Sequence, residues 1–344
     1  MHYTDLKVKR LFRMNNSALS ALAVFSITAF CALPAAAQTA SQSGIWTIQG
    51  ENASISTSTP TDRYYVNGVH LGWIAPVDQT PASLSSLAGN FLGAGTTRMS
   101  IGLTQQIFTP NDTKAINPPE NDEPYAGYLA VNLGLTQDAT NTRSLLGLNL
   151  GIVGPAAGGE WVQNNFHSLI GQKGTHGWAY QLPTTPAIDL NAARIWRMSL
   201  GSVAGLETDA LPQISGMAGL TQDYLQPAIG FRIGSGLRSD YGPPLLTSSP
   251  TGGDAYTPIQ PFVWYLFAGS AAKFVAHDTF LQGTFFRDSR NVPIKRVVGS
   301  FDLGAVVVWH GLRFSYTQVF QTDRFHHQQG SIHQFGSFSV SGMF

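Results

Sequence analysis

The sequence predicts an all-β protein, a transmembrane antiparallel β-barrel of about twelve strands with a short helix in an extracellular loop. Three observations predict it. Apolar residues alternate with small or polar ones at period two through much of the 344-residue chain, the pattern of a strand with two unlike faces. The minor face is Gly, Ser, Asn and Thr rather than the Lys and Glu of a water-facing sheet, so it reads as a lumen, with the apolar face turned to lipid. Beyond the N-terminal segment no apolar run reaches the length of a membrane-spanning helix. Composition agrees: only 12% of residues are charged, about half the share of a soluble globular protein. Lys+Arg 20 and Asp+Glu 20 balance, so no basic field suggests a nucleic-acid partner.

Residues 1–37 read as a secretory signal peptide, leaving 38–344 as the barrel domain. Lys7, Lys9, Arg10 and Arg13 form its positive start, an apolar stretch from Ala18 to Leu33 follows, and Ala35-Ala36-Ala37 supplies the cleavage pattern. The one cysteine, Cys31, leaves with this segment. The mature chain then has no disulfide and depends on backbone pairing and packing.

The strands follow in order. Met99, Ile101 and Leu103 share one face; Leu129, Val131, Leu133 and Leu135 repeat the pattern against Asn132 and Gly134. Leu146, Leu148, Leu150 and Ile152 alternate with Gly147, Asn149 and Gly151, and Phe338, Val340, Gly342 and Phe344 close the chain against serines. The expected strands lie near 45–55, 63–75, 97–108, 126–137, 143–153, 187–199, 206–219, 226–236, 259–274, 294–309, 312–322 and 334–344. Tyr64, Tyr65, Trp73, Tyr125, Tyr128, Trp264, Tyr265 and Trp309 fall near strand ends, as interfacial aromatic girdles would. The terminal Phe344 resembles the ending through which outer-membrane barrels meet their assembly machinery.

An even strand number puts both termini in the periplasm, and odd-numbered connections face outward. The longest outer one, 154–186, contains Trp161, Asn164, Phe166, His167 and Ile170 at helical spacing before Gly171. Two inner connections, 76–96 and 237–258, are unusually long. Strand 1 ascends to Asn52 and strand 2 descends from Tyr65, Val66 and Asn67, so these residues and His167 are expected at the same outer mouth.

Thr61-Asp-Arg-Tyr-Tyr-Val-Asn-Gly68, Asp122-Glu-Pro-Tyr-Ala-Gly-Tyr128, Gly154-Pro-Ala-Ala-Gly-Gly-Glu-Trp-Val-Gln-Asn-Asn-Phe-His167 and Gly177-Trp-Ala-Tyr-Gln181 resemble the lipid A 3′-O-deacylase family across nearly the whole mature chain. The resemblance implies a twelve-stranded outer-membrane barrel that hydrolyses the 3′-linked acyloxyacyl ester of lipid A in lipopolysaccharide, acting as a monomer. It implies that His167 is the general base for water, a role suited to an imidazole, and that Ca²⁺ stabilises the oxyanion. Asn52 would ligate the cation or orient water. Gln163, Asn164, Asn67 and Trp178 would support the site or contact substrate.

The chain departs from the family pattern where chemistry is expected. Ala53 stands where an Asp follows the strand-1 Asn, and Val66 where a Thr follows the strand-2 Tyr. Glu123 replaces a usual Arg and Thr185 a frequent Glu. Two readings follow, a hydrolase with a modified site or a catalytically silent relative that holds lipid A. A passive pore is a third class, disfavoured because twelve strands enclose a lumen that side chains can largely fill. There is no G-x-S-x-G elbow. His326, His327 and His333 lack neighbouring acids or cysteines, so a solvated loop accounts for them better than a metal site.

Overall fold

The computed structural model describes residues 43–55, 62–243, 245, 254–330 and 332–344; the expected signal peptide lies outside them. The strands are β1 (Ile45–Asn52), β2 (Tyr64–Ile74), β3 (Thr96–Thr109), β4 (Ala126–Asp138), β5 (Thr142–Val153), β6 (Thr185–Trp196), β7 (Met198–Val203), β8 (Leu206–Gly219), β9 (Gln222–Ser235), β10 (Phe262–Asp278), β11 (Val297–Trp309), β12 (Leu312–Gln321) and β13 (His333–Met343). β6 and β7 are separated only by Arg197 and both pair with β8. They form one long stave, so thirteen segments make twelve. Each stave pairs antiparallel with its neighbours; β1 joins β13 and β6 joins β8, and the sheet closes. Closure pairs both edges of each stave through the span, as hydrocarbon requires; only β7, beyond Arg197, pairs with β8 alone.

The alternation sets the two faces. In β4, Val131 and Leu133 point outward and Ala130, Asn132 and Gly134 inward. Inside, His70 Nδ1 meets Thr104 Oγ1 at 2.8 Å, Thr104 Oγ1 donates to Asn132 Oδ1 at 2.6 Å, and Asn132 Nδ2 donates to Asn149 Oδ1 at 2.9 Å. This chain crosses β2 to β5 and satisfies polar groups that the lumen buries.

The aromatic expectation needs correction. Tyr64, Tyr65, Tyr125, Tyr128 and Tyr265 are buried and pack inward. At Tyr64–Val66 the cause is a bulge, which shifts the register between Tyr65 and Asn67 and turns consecutive side chains inward. Trp73, Trp264 and Trp309 do lie outward at strand ends as expected, at the end that carries the termini, beside Trp46, Trp196 and Phe262.

The two long inner connections have structural reasons. The first carries a helix, α1 (Ala82–Leu92), which the sequence reading missed. The second turns back into the barrel mouth. Asp240 Oδ1 accepts from Arg232 Nη1 at 2.6 Å, and its Oδ2 accepts from Arg313 Nε at 2.9 Å and from Tyr265 Oη at 2.8 Å. Asp254 pairs with Arg313, and Arg143 Nη1 donates to the Ala255 carbonyl at 2.7 Å. Buried charges persist only when paired, and here the pairing holds the described ends of the connection, at Asp240 and at Asp254–Ala255, against the barrel wall. The guanidiniums outweigh the burial that would raise the Asp240 carboxyl, bringing it down to about 2.

Planar bilayers containing the wild type are expected to show no steady conductance. The Asp240→Asn/Asp254→Asn variant, which leaves Arg313 without a carboxylate and Arg232 with Asp209 alone, is expected to flicker open. A depressed carboxyl stabilises the fold above its unfolded value and loses that contribution as pH falls through its folded value. The stability gap between wild type and Asp240→Asn should therefore be full near pH 7 and shrink between about pH 4 and pH 2, read as the temperature at which the compact electrophoretic form is lost.

Candidate active site

The longest connection at the end opposite the termini carries α2 (Gly159–Leu169). Its start is built on glycines. Gly158 caps it in the left-handed region at φ 70°, which favours glycine. A Cβ on Gly159 would sit 2.9 Å from the Gly127 Cα and 3.0 Å from the Trp178 ring, so the helix rests directly on β4. Gly171, at φ 72°, turns the chain back after the helix, as the spacing predicts. Gly159, Gln163 and His167 form the buried stripe, at the i, i+4 interval of one helical face. Trp161 points out and is 70% exposed.

The buried stripe meets the tops of β1 and β2. Asn52 and Asn67 are direct register partners, and with Asp62, Gln163 and His167 they line one cavity of about 20 Å³, room for about one water molecule. The structure thus brings together four of the site residues expected from the sequence. Asn164 and Trp178 stand behind the cavity. Trp178 is buried, and its Nε1 donates to Gln163 Oε1 at 3.2 Å and to Thr175 Oγ1 at 2.9 Å. Asn164 Oδ1 accepts from the Thr175 backbone N–H at 2.8 Å. These contacts fix the amide of Gln163, whose Nε2 donates to Asp62 Oδ1 at 3.2 Å.

His167 has two oxygen neighbours. Its Nδ1 lies 3.1 Å from the Lys173 carbonyl. A carbonyl only accepts, so Nδ1 carries the proton and Nε2 is the basic nitrogen. Nε2 lies 3.3 Å from Asp62 Oδ2. Burial pushes the Asp62 carboxyl above its ordinary value, against the lowering pull of His167 and the Gln163 hydrogen bond. Asp62 is the residue that sequence reasoning missed as a participant. It precedes β2 in a loop, where no periodicity points, although it belongs to the quoted Thr61–Gly68 block.

The donor set does not fit a calcium ion, which takes six to eight hard oxygens. Ala53 is fully buried in an apolar cluster with Tyr65, Phe108 and Phe335. Val66 packs with Ile107, Tyr125 and Trp178. Asn52 Oδ1 already accepts from the Ser54 N–H at 2.7 Å, and among the described residues Asp62 is the one carboxylate that lines the cavity. Among the described residues, no three His, Cys, Asp or Glu side chains converge as a metal site. His326 and His327 are exposed, whereas His333 is buried in β13 against the Tyr65 carbonyl, not in the loop where the sequence reading put it.

The other two departures lie nearby. Glu123 is buried with Oε1 2.8 Å from Arg324 Nη1, and Thr185 Oγ1 is buried without a hydrogen-bond partner.

A closed barrel with apolar outward faces, arginine–aspartate pairs at one mouth and a histidine–carboxylate cavity at the other defines an outer-membrane β-barrel protein. The family described as "Outer membrane protein LpxR" matches residues 22–344, and the chain belongs to it. By fold the chain is similar to "LpxR from Salmonella typhimurium", with a TM-score of 0.72 and 19% identity over 87% of this chain and 100% of that one. The β domain of the Bordetella autotransporter BrkA is a far looser likeness, with a TM-score of 0.40 and 8% identity over 87% of this chain and 97% of that one. By sequence no curated protein matches.

Gly159→Ala is expected to push α2 off β4, because the new methyl meets the Gly127 backbone and the Trp178 ring. Overpacking of this kind costs about 1–3 kcal/mol, read as a lower temperature for loss of the compact form. The same displacement carries Gln163 and His167 away from Asn52.

Proposed function

We propose that the chain is an outer-membrane hydrolase that removes the 3′-linked acyloxyacyl group of lipid A, with His167 as general base. One observation carries the reading. The Lys173 carbonyl holds the Nδ1 proton, so Nε2, 3.3 Å from Asp62 Oδ2, is the basic nitrogen of a residue that lines a water-sized cavity at the rim of a lipid-embedded barrel. With the termini in the periplasm, that rim lies at the outer leaflet, where the acyl esters of lipopolysaccharide are.

The chemistry follows from the groups present. Water in the cavity gives a proton to Nε2, and its oxygen attacks the ester carbon. The Asn52 amide oxygen is held by Ser54, so its Nδ2 is the group left to donate to the oxyanion, a contact of the kind worth about 100-fold or more in rate. As the tetrahedral intermediate collapses, the ester C–O bond breaks and the imidazolium returns its proton to the departing sugar oxygen. The products are a free acyloxyacyl carboxylic acid and a 3′ hydroxyl. Asn67 lines the same cavity, and Gln163, Asn164 and Trp178 hold it in shape.

The second reading, a silent barrel that binds lipid A, is favoured by the apolar burial of Ala53 and Val66. Mass spectrometry of lipid A from expressing cells separates the two. Loss of the 3′ acyloxyacyl mass with wild type but not with His167→Ala is the expected result. An unchanged spectrum with wild type, and deacylation only by Ala53→Asp/Val66→Thr, would identify a decayed site instead.

A further inference from the structure

We propose that Asp62 and His167 act as a metal-independent pair on a single water molecule, an inference that rests on the hydrolase reading above. The pair replaces both the cation and the carboxylate that the family pattern would put beside Asn52. The two positions that would supply a carboxylate and a hydroxyl, Ala53 and Val66, are built into apolar clusters with Tyr65, Phe108 and Phe335 on one side and Ile107, Tyr125 and Trp178 on the other. Two of the amide oxygens that line the cavity already accept hydrogen bonds, Asn52 Oδ1 from the Ser54 N–H and Gln163 Oε1 from Thr175 and Trp178. One carboxylate is left, and its two oxygens are divided between Gln163 and His167.

That division suits the chemistry. Gln163 Nε2 pins Oδ1, so Oδ2 is turned toward His167 Nε2 across 3.3 Å. The water-sized cavity borders both. A water there donates one O–H to Nε2 and the other to Oδ2, which leaves an oxygen lone pair for the ester carbon. When Nε2 takes the first proton, the imidazolium forms beside a carboxylate and is stabilised by it. The second proton stays on the oxygen and leaves with the carboxylic acid. No redox partner is needed, and the positive charge that a cation would bring to the oxyanion is replaced by the Asn52 Nδ2 donor.

The test uses the mature barrel in detergent with lipid A mixed micelles, each rate followed by mass spectrometry. The wild-type rate is expected to be unchanged by EDTA and by added calcium chloride. Asp62→Asn, close in shape to the native residue, is expected to lose about 100-fold or more while keeping its compact electrophoretic form; Asp62→Ala should do the same where it folds. Asn52→Asp is expected to be as slow as Asn52→Ala, because an added carboxylate improves a metal ligand but cannot donate to an oxyanion. Terbium luminescence, which reads metal binding without turnover, should stay at the buffer level for wild type. Chelator-sensitive activity, terbium binding by wild type or an Asp62→Asn rate equal to wild type would each overturn the pair and leave the hydrolase reading standing. A wild type no faster than His167→Ala would overturn both.

Discussion

A backbone amide inside hydrocarbon has no water to turn to, and the rest of this structure depends on that constraint. It forces the sheet to close, through β1 on β13 and β6 on β8, and closure fixes where everything else can be. Side chains of one parity meet lipid and the others share a lumen too narrow to hold bulk water at every polar group. Connections alternate between two ends. At one end they are mostly tight; at the other they are long enough to carry α2 and to bring Asp62 and His167 over Asn52. The cavity follows from closure: β1 and β2 put Asn52 opposite Asn67, and α2 roofs them.

The same constraint explains the buried charge. Arg143, Arg232 and Arg313 lie inside the barrel, where an unpaired guanidinium would be costly. Asp138 answers Arg143, and Asp209, Asp240 and Asp254 answer the other two; Asp240 and Asp254 come from the connection between β9 and β10 rather than from a strand. The arginines therefore bind that connection into the barrel mouth. A length that looks excessive for a turn is the length needed to fold back and reach them.

Much of the fold was legible because period two is imposed by geometry and survives any local propensity. Leu129, Val131 and Leu133 against Ala130, Asn132 and Gly134 can be read without a structure. What was illegible lacks a period. Tyr64 and Tyr65 look like girdle residues until a bulge turns them inward. α1 is a short helix in a connection, without a buried stripe strong enough to announce itself. At the site, Asn52, Gln163 and His167 drew their roles from the family resemblance, while strand order and helical spacing only put their segments at one mouth. Asp62 sits in a loop, where neither rule applies, and its pairing with His167 depends on tertiary contacts alone.

That difference in origin bears on how the site is held. A carboxylate directly after Asn52 would be fixed by the β1 ladder, and sites on strands are held more precisely than sites on loops. A loop carboxylate needs its positional accuracy from elsewhere. Here it comes from a chain of fixed amides: Trp178 and Thr175 orient Gln163, and Gln163 orients Asp62. The glycine contact between Gly159 and Gly127 lets α2 lie close enough for that chain to reach. Apolar packing at Ala53 and Val66 and the polar chain above it are therefore two halves of one arrangement: the strand ends lend the barrel rim a dry, rigid floor, and the loop helix carries the chemistry. Returning a carboxylate to position 53 would place a charge in the apolar Tyr65–Phe108–Phe335 cluster, whose nearest guanidinium, Arg324 over the Phe108 ring, is already paired with Glu123 and Asp278.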